Sequence, residues 1–135
     1  MTSPSVPPDN PATPALRILV IEDNLDVAES LRIFLELGGH RVAVAHDGDA
    51  ALTAARLLLP NIVLCDISLP GDMDGYAIAR ALKSDASHPR SYLVAMTGYD
   101  REQDRTLALQ AGFDAHLAKP IDLASLASLF SSLAG

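Results

Sequence analysis

Cysteine is nearly absent from the chain: Cys65 is the only one among 135 residues, so no intrachain disulfide can form. Set in the run "IVLCD", it reads as a small buried apolar residue rather than a reactive thiol. Positive charge is also in short supply. Ten Lys and Arg against seventeen Asp and Glu give a net charge of −7, and the ten are scattered rather than striped along one face. Such a chain repels a phosphate backbone, so no nucleic acid is expected as a direct partner. No run approaches the roughly 18 consecutive apolar residues of a membrane span. The N-terminus lacks the basic stretch and apolar core of a signal peptide, so no membrane is expected as a partner and the cytoplasm is the expected compartment.

What is present is 49% hydrophobic residues in a length suited to one domain. Residues 1–15, "MTSPSVPPDNPATPA", hold five of the nine prolines and one large aliphatic side chain, so they are expected to form a flexible tail. The folded domain is expected over residues 16–135. There, short apolar runs alternate with segments of helical period.

The runs "RILVI" (17–21), "RVAVA" (41–45), "NIVLC" (61–65), "YLVAM" (92–96) and "AHLAK" (115–119) predict five strands. Between them Val27, Leu31 and Phe34 recur at i, i+4 and i+7. Ile78 and Leu82 pair at i, i+4, and Leu123, Leu126, Phe130 and Leu133 form a last stripe. Gly38, Gly39 and Gly112 are candidate helix C-caps. Strict alternation argues for an α/β fold: a parallel sheet covered on both faces through right-handed crossovers. "ILVI" and "IVLC" are continuously apolar and suit the centre, whereas "RVAVA" and "AHLAK" suit edges, which gives the order 2-1-3-4-5. A ligand site is then expected at the carboxyl ends of strands 1 and 3, where the chain reverses direction across the sheet.

The first strand runs into Glu22 and Asp23 and the third into Asp66. Carboxylates about 4 to 5 Å apart repel by roughly 3 to 4 kcal/mol at an effective dielectric near 20. A hard, oxygen-seeking ion such as Mg²⁺, completed by waters and a phosphoryl oxygen, would relieve three of them. Strand 4 ends in "AMTG" and strand 5 in "LAKP", which adds the Thr97 hydroxyl and the Lys119 ammonium. For Thr97 taken alone, ordinary loop polarity is the simpler reading. An acidic pair, an Asp, a Thr and a Lys-Pro at four sheet ends weaken that reading sharply.

These residues, in the motifs "VIEDN", "VLCDISLPGDMDG", "AMTGYD" and "AGFDAHLAKPID", make the sequence similar to the response-regulator receiver domain of two-component signalling over residues 16–134. The wording of "TGYD" and "AHLAKPIDLASL" also resembles receivers of hybrid histidine kinases. The resemblance implies a flavodoxin-like, doubly wound, five-stranded sheet with five helices. It implies that Asp66 is the phosphoacceptor and that Mg²⁺ is bound by Asp23, Asp66 and the Ser68 backbone carbonyl, with Glu22 acting through water. Thr97 and Lys119 match the family's phosphoryl-sensing hydroxyl and amine, and Pro120 matches a proline preceded by a cis peptide.

The implied chemistry is transfer of a phosphoryl group from a phosphohistidine of a histidine kinase or phosphotransfer protein, followed by self-dephosphorylation beside Gly98. It is a signalling role rather than that of a turnover enzyme. Every helix is used in covering the sheet, so signalling is expected through a downstream protein target. Helix 4, strand 5 and helix 5 form the expected partner or homodimer face.

Two departures from the family pattern stand out. His116 occupies the position of an aromatic switch residue, and "PGDMDG" holds one residue more than the usual loop after the phosphoacceptor. His40, His46 and His88 share no metal-ligand spacing and read as surface residues. Asp74, followed by Gly75, reads as a helix N-cap, and Asp72 as part of the lengthened loop.

A calcium loop beginning at Asp66 is disfavoured, since Pro70 and Ala77 stand where an oxygen ligand and a bidentate Glu belong. An aspartyl-phosphate phosphatase would want an acid where Ser68 stands. A phosphorylation-independent docking module with the same fold is the remaining rival, opposed by the intact set of site residues.

Overall fold

A computed structural model describes residues 15–85, 90–98 and 102–134. The elements alternate as β1 (Arg17–Ile21), α1 (Leu25–Leu37), β2 (Arg41–Ala45), α2 (Gly48–Leu58), β3 (Ile62–Asp66), α3 (Gly75–Ser84), β4 (Tyr92–Thr97), α4 (Glu102–Ala111), β5 (Ala115–Ala118) and α5 (Leu123–Ala134). All strand pairs are parallel, in the order β2-β1-β3-β4-β5. The third strand sits one residue later than its apolar run. Asn61, just before the strand, accepts the Arg17 N–H on its side-chain oxygen at 2.8 Å while its backbone still bonds to Arg17 and Tyr92, and Asp66 joins the ladder opposite Met96. Likewise Thr97 closes β4, while Lys119 is released from the end of β5.

The two-residue period of the strands sorts the core into two layers. Ile18, Val20, Ile62, Leu64, Val94 and Met96 face α1 and α5, meeting Leu31, Leu35, Leu126 and Phe130. Leu19, Ile21, Val63, Cys65, Leu93 and Ala95 face the other way, toward Ala51 and Ala55 of α2, Ile78 and Leu82 of α3, and Ala108 of α4. Both layers are needed because a central parallel strand offers no solvated face, which is why "ILVI" and "IVLC" are apolar throughout.

Helix starts are capped locally. Asn24 accepts from the amides of Asp26 and Val27, Asp47 from that of Ala50 and Asp74 from that of Ala77. The buried line of α1 is Ala28, Leu31 and Leu35, flanked by partly buried Val27 and Phe34. In α5 only Leu126 and Phe130 of the expected stripe are buried; Leu133 stays exposed, and Leu123 opens onto a recess beside Val27 and Pro120 rather than onto the sheet.

His40 corrects its reading as a surface residue. It is half-buried, its Nδ1 accepts the Leu16 N–H at 3.1 Å, and its ring meets that of Phe130 edge-on at 5.6 Å. His46 is exposed, with Nδ1 at 3.0 Å from the Glu22 carbonyl oxygen. His88 and all of the proline-rich tail except Ala15 lie outside the described residues.

Burial lowers the pKa of His40 in the fold, below the roughly 6.5 of an unfolded chain. The unfolded state therefore takes up the proton first, and protonation would also cost the acceptor of the Leu16 amide. The His40 contribution should be fully present above about pH 6.5 and be lost as pH falls through the folded value. Urea unfolding should show a steeper loss of stability from about pH 7.5 to 5.5 in the native chain than in His40→Gln, which keeps an acceptor without titrating. Equal losses in the two would contradict the assignment.

Candidate functional site

The crevice forms where β1 and β3 lie side by side and their connections leave in opposite directions. Glu22 follows β1 directly, its N–H still bonded to the Ala45 carbonyl at 3.0 Å, and Asp66 is the last residue of β3. Both are almost wholly buried, at 1% and 3% exposure, while Asp23 is exposed at the rim. One carboxylate oxygen from each of the three lies within 4.8 Å of the others. Neither Asp72 nor Asp74 belongs to this cluster; Asp74 caps α3 through Oδ1 at 2.9 Å from the Ala77 nitrogen.

Lys119 reaches the cluster from the end of β5, with Nζ at 3.1 Å from Glu22 Oε1 and 3.0 Å from Asp66 Oδ2. Its own N–H bonds to the Thr97 carbonyl at 2.8 Å, and the peptide joining it to Pro120 is cis. The remaining carboxylate oxygens find backbone donors: the Ser68 N–H on Asp66 Oδ1 at 3.0 Å and the Asn24 N–H on Glu22 Oε2 at 3.1 Å.

Burial pushes the Glu22 carboxyl above its usual range; the Asn24 amide and Lys119 pull against that shift, and Asp66 adds to it. Burial opposes the Lys119 ammonium too, but its bonds to Asp66 and Glu22 outweigh burial and raise its pKa, so it stays charged. Three acids face one ammonium. The donor set is all hard oxygen and open on the Asp23 side, which fits a divalent cation of the Mg²⁺ type.

Thr97 ends β4 and is buried. His116 is half-buried in β5 opposite Ala95, and strand alternation puts it on the same face of the sheet as Thr97. The extra loop residue is absorbed in an exposed arch. Leu69 is buried and Met73 packs against the same core, while Pro70, Gly71 and Asp72 between them face solvent, with Gly71 at φ +93°.

One residue important to the site was read only as the companion of a cap. A Cβ on Gly75 would lie 2.6 Å from the Asp66 carbonyl oxygen and 2.7 Å from Ile67 Cα, because the first turn of α3 rests on the backbone beneath the acid. The Gly75 N–H also bonds to the Ile67 carbonyl at 3.0 Å. A glycine just inside a helix start, where propensity disfavours it, is the sequence signal that could have found this contact.

Two outcomes follow from this geometry. Gly75→Ala should lower the urea midpoint by the equivalent of about 1 to 3 kcal/mol despite its better helix propensity. Gly98→Ala, where a Cβ meets nothing within 4 Å, should leave the midpoint unchanged. Mg²⁺ at a hundredfold excess over its dissociation constant should add about 2.7 kcal/mol to unfolding stability, and Asp23→Asn should remove most of that gain. A thermal scan with and without chelator reads the effect.

Residues 18–131 match the response regulator receiver domain family. The DNA-binding response regulator MtrA of Mycobacterium tuberculosis is 41% identical over 104 residues, which cover 77% of this chain and 44% of that protein. A 14.6 kDa uncharacterized protein of Leptolyngbya boryana is 35% identical over 105 residues, 78% of this chain and 79% of its own length. Among solved structures, the signal receiver domain of a signal transduction histidine kinase from Syntrophus aciditrophicus aligns with TM-score 0.79 at 30% identity, over 89% of this chain and 90% of that one. A putative response regulator from Chloroflexus aurantiacus aligns with TM-score 0.81 at 26% identity, over 90% and 98%. The chain thus spans less than half the length of MtrA.

Proposed function

The chain belongs to the response regulator receiver domain family of two-component signalling, and we propose that Asp66 is its phosphoacceptor, charged by a phosphohistidine of a histidine kinase or phosphotransfer protein. The observation that carries this reading is a buried Asp66 held at a strand end between the Lys119 ammonium and the Ser68 amide, beside a second buried acid. One carboxylate oxygen of Asp66 attacks phosphorus in line. The bond from phosphorus to the histidine nitrogen breaks, its electron pair stays on the imidazole, and an acyl phosphate forms on Asp66. Mg²⁺, held by Asp23, Asp66 and the Ser68 carbonyl with Glu22 acting through water, would neutralise charge on the group in transfer.

Lys119 then exchanges part of its contact with Asp66 and Glu22 for a phosphoryl oxygen, and the Thr97 hydroxyl donates to another. These contacts exist only in the phosphorylated state, so they shift the population toward a signalling conformation. His116, on the Thr97 face, is the residue placed to report that change along β5. Gly98 brings no side chain next to Thr97, which leaves room for water to hydrolyse the acyl phosphate. The acidic balance of the domain favours a protein as its direct target, and the α4, β5 and α5 face is the surface proposed for that target or for a homodimer. No described helix is long and apolar enough to cross a membrane, and the cytoplasm is the proposed compartment.

Incubation with a small phosphodonor and Mg²⁺, followed by intact-mass analysis, should add one phosphoryl group to the native chain and none to Asp66→Asn. No gain, or an equal gain in the variant, would overturn the assignment. Thr97→Ala should still be phosphorylated yet lose the phosphorylation-dependent change in partner affinity, as read by pull-down. Partner affinity unaffected by the phosphodonor in the native chain would favour a docking module instead.

A further inference from the structure

The sheet has two open edges, and they differ. At one, β5 is four residues long and runs straight into Lys119 and Pro120, a charge and a ring that discourage another strand from pairing. At the other, β2 ("RVAVA") has no proline and no charge after Arg41.

Two bonds fix the direction of the β2 backbone. The Arg41 N–H donates to the Leu16 carbonyl at 2.9 Å, and the Ala45 carbonyl accepts the Glu22 N–H at 3.0 Å. Residues 41, 43 and 45 thus turn their backbone polar groups toward β1, and strand alternation turns those of Val42 and Val44 outward. Outside the β1 ladder, no hydrogen bond among the described residues reaches these two. Unpaired groups of this kind are a template for a further strand.

The flank of α2 beside this edge is apolar. Gly48, Ala51 and Ala55 are the buried line of α2, which packs over β1 and β2. Leu52 and Arg56 turn toward α3, where they line a recess with Leu82. The helical period leaves Ala50, Ala54 and Leu57 on the opposite flank, beside the open side of β2. Leu57 is 82% exposed there, an unfavourable place for a leucine facing water.

We propose that β2 pairs antiparallel with β2 of a second copy about a two-fold axis at Ala43, joining two five-stranded sheets into one. In that register Val42 of each copy exchanges N–H and C=O bonds with Val44 of the other. Arg41 lies diagonal to Asp47 of the other copy on the same face of the sheet, with Asp49 in the helical turn that follows. None of these three side chains takes part in an ion pair among the described residues. Each copy therefore brings one sign of charge to the opposite sign on its mate, and this self-complementarity commits the edge to a second copy rather than to an unrelated strand. Paired strands stand about 4.8 Å apart, and α2 lies roughly half a spacing inside β2, so the two α2 helices approach to about 10 Å, the distance of packed helices. Leu57 is covered in the seam. The β5 edge stays free, and Asp66 lies two strands away from the contact.

Sedimentation equilibrium of the full chain should show a mass that rises with concentration from 14.3 kDa toward twice that value. Arg41→Glu should raise the dimer dissociation constant about tenfold or more, and adding Asp49→Arg should bring it back toward the native value. Leu57→Glu, at an exposed position outside the core, should weaken the dimer likewise. Opposed residues of a non-hydrogen-bonded antiparallel pair stand about 4.5 Å apart at Cα, within reach of a disulfide. Ala43→Cys should therefore cross-link to itself under mild oxidation, and Thr53→Cys, on the solvent face of α2, should not. Cys65 is buried and does not compete. A mass that stays at one chain up to millimolar concentration would overturn the proposal. So would a dimer that Arg41→Glu leaves unchanged and Ala43→Cys fails to cross-link, which would assign the contact to another face.

Discussion

One ammonium shared between two buried carboxylates is the interaction on which the rest of the molecule turns. Glu22 and Asp66 come from neighbouring strands and sit almost entirely out of water, and Lys119, from the far edge of the sheet, touches both at about hydrogen-bond distance. Removing carboxylates from water is costly, and the attraction to one cation repays only part of that cost. The raised pKa of Glu22 shows the direction of the imbalance. The site is thus held in a state that would gain from more positive charge, which a divalent cation would supply.

The sheet makes this arrangement possible at a distance. Lys119 lies 53 residues from Asp66 in the chain, as their numbers give (119 − 66), and the two meet only because β3, β4 and β5 stack in parallel with their carboxyl ends level. Two apolar layers clamp the strands from both faces, so the ends cannot slide without moving large side chains in a dense core.

Much of this was legible in the chain because it rests on local pattern. Strands 1 and 2 end where their apolar runs end, and Asp74 caps α3 through a contact three residues away. The placement of the rim residues was legible because acids, hydroxyl and amine each stand at or just past the carboxyl end of a strand. What escaped depends on contacts between distant segments. His40 is drawn inward by Phe130 and the Leu16 amide, and Gly75 is required by backbone lying beneath it. Helix α4 buries Ala108 and Ala111 while Leu107 and Leu109 face outward, so alternation of elements, not periodicity, announces it. The extension of β3 to Asp66 rests on its pairing with Met96 of β4, which no hydropathy pattern encodes.

The arch at Pro70, Gly71 and Asp72 has a consequence of another kind. Its feet, Leu69 and Met73, are packed in the core, and the Asp66 carboxylate is held by the Ser68 amide, outside the arch. Length can therefore be added at the crown without displacing the acid, as the extra residue here illustrates. The surface beside Asp66 is free to diversify by insertion while the cluster of acids beneath it keeps its geometry.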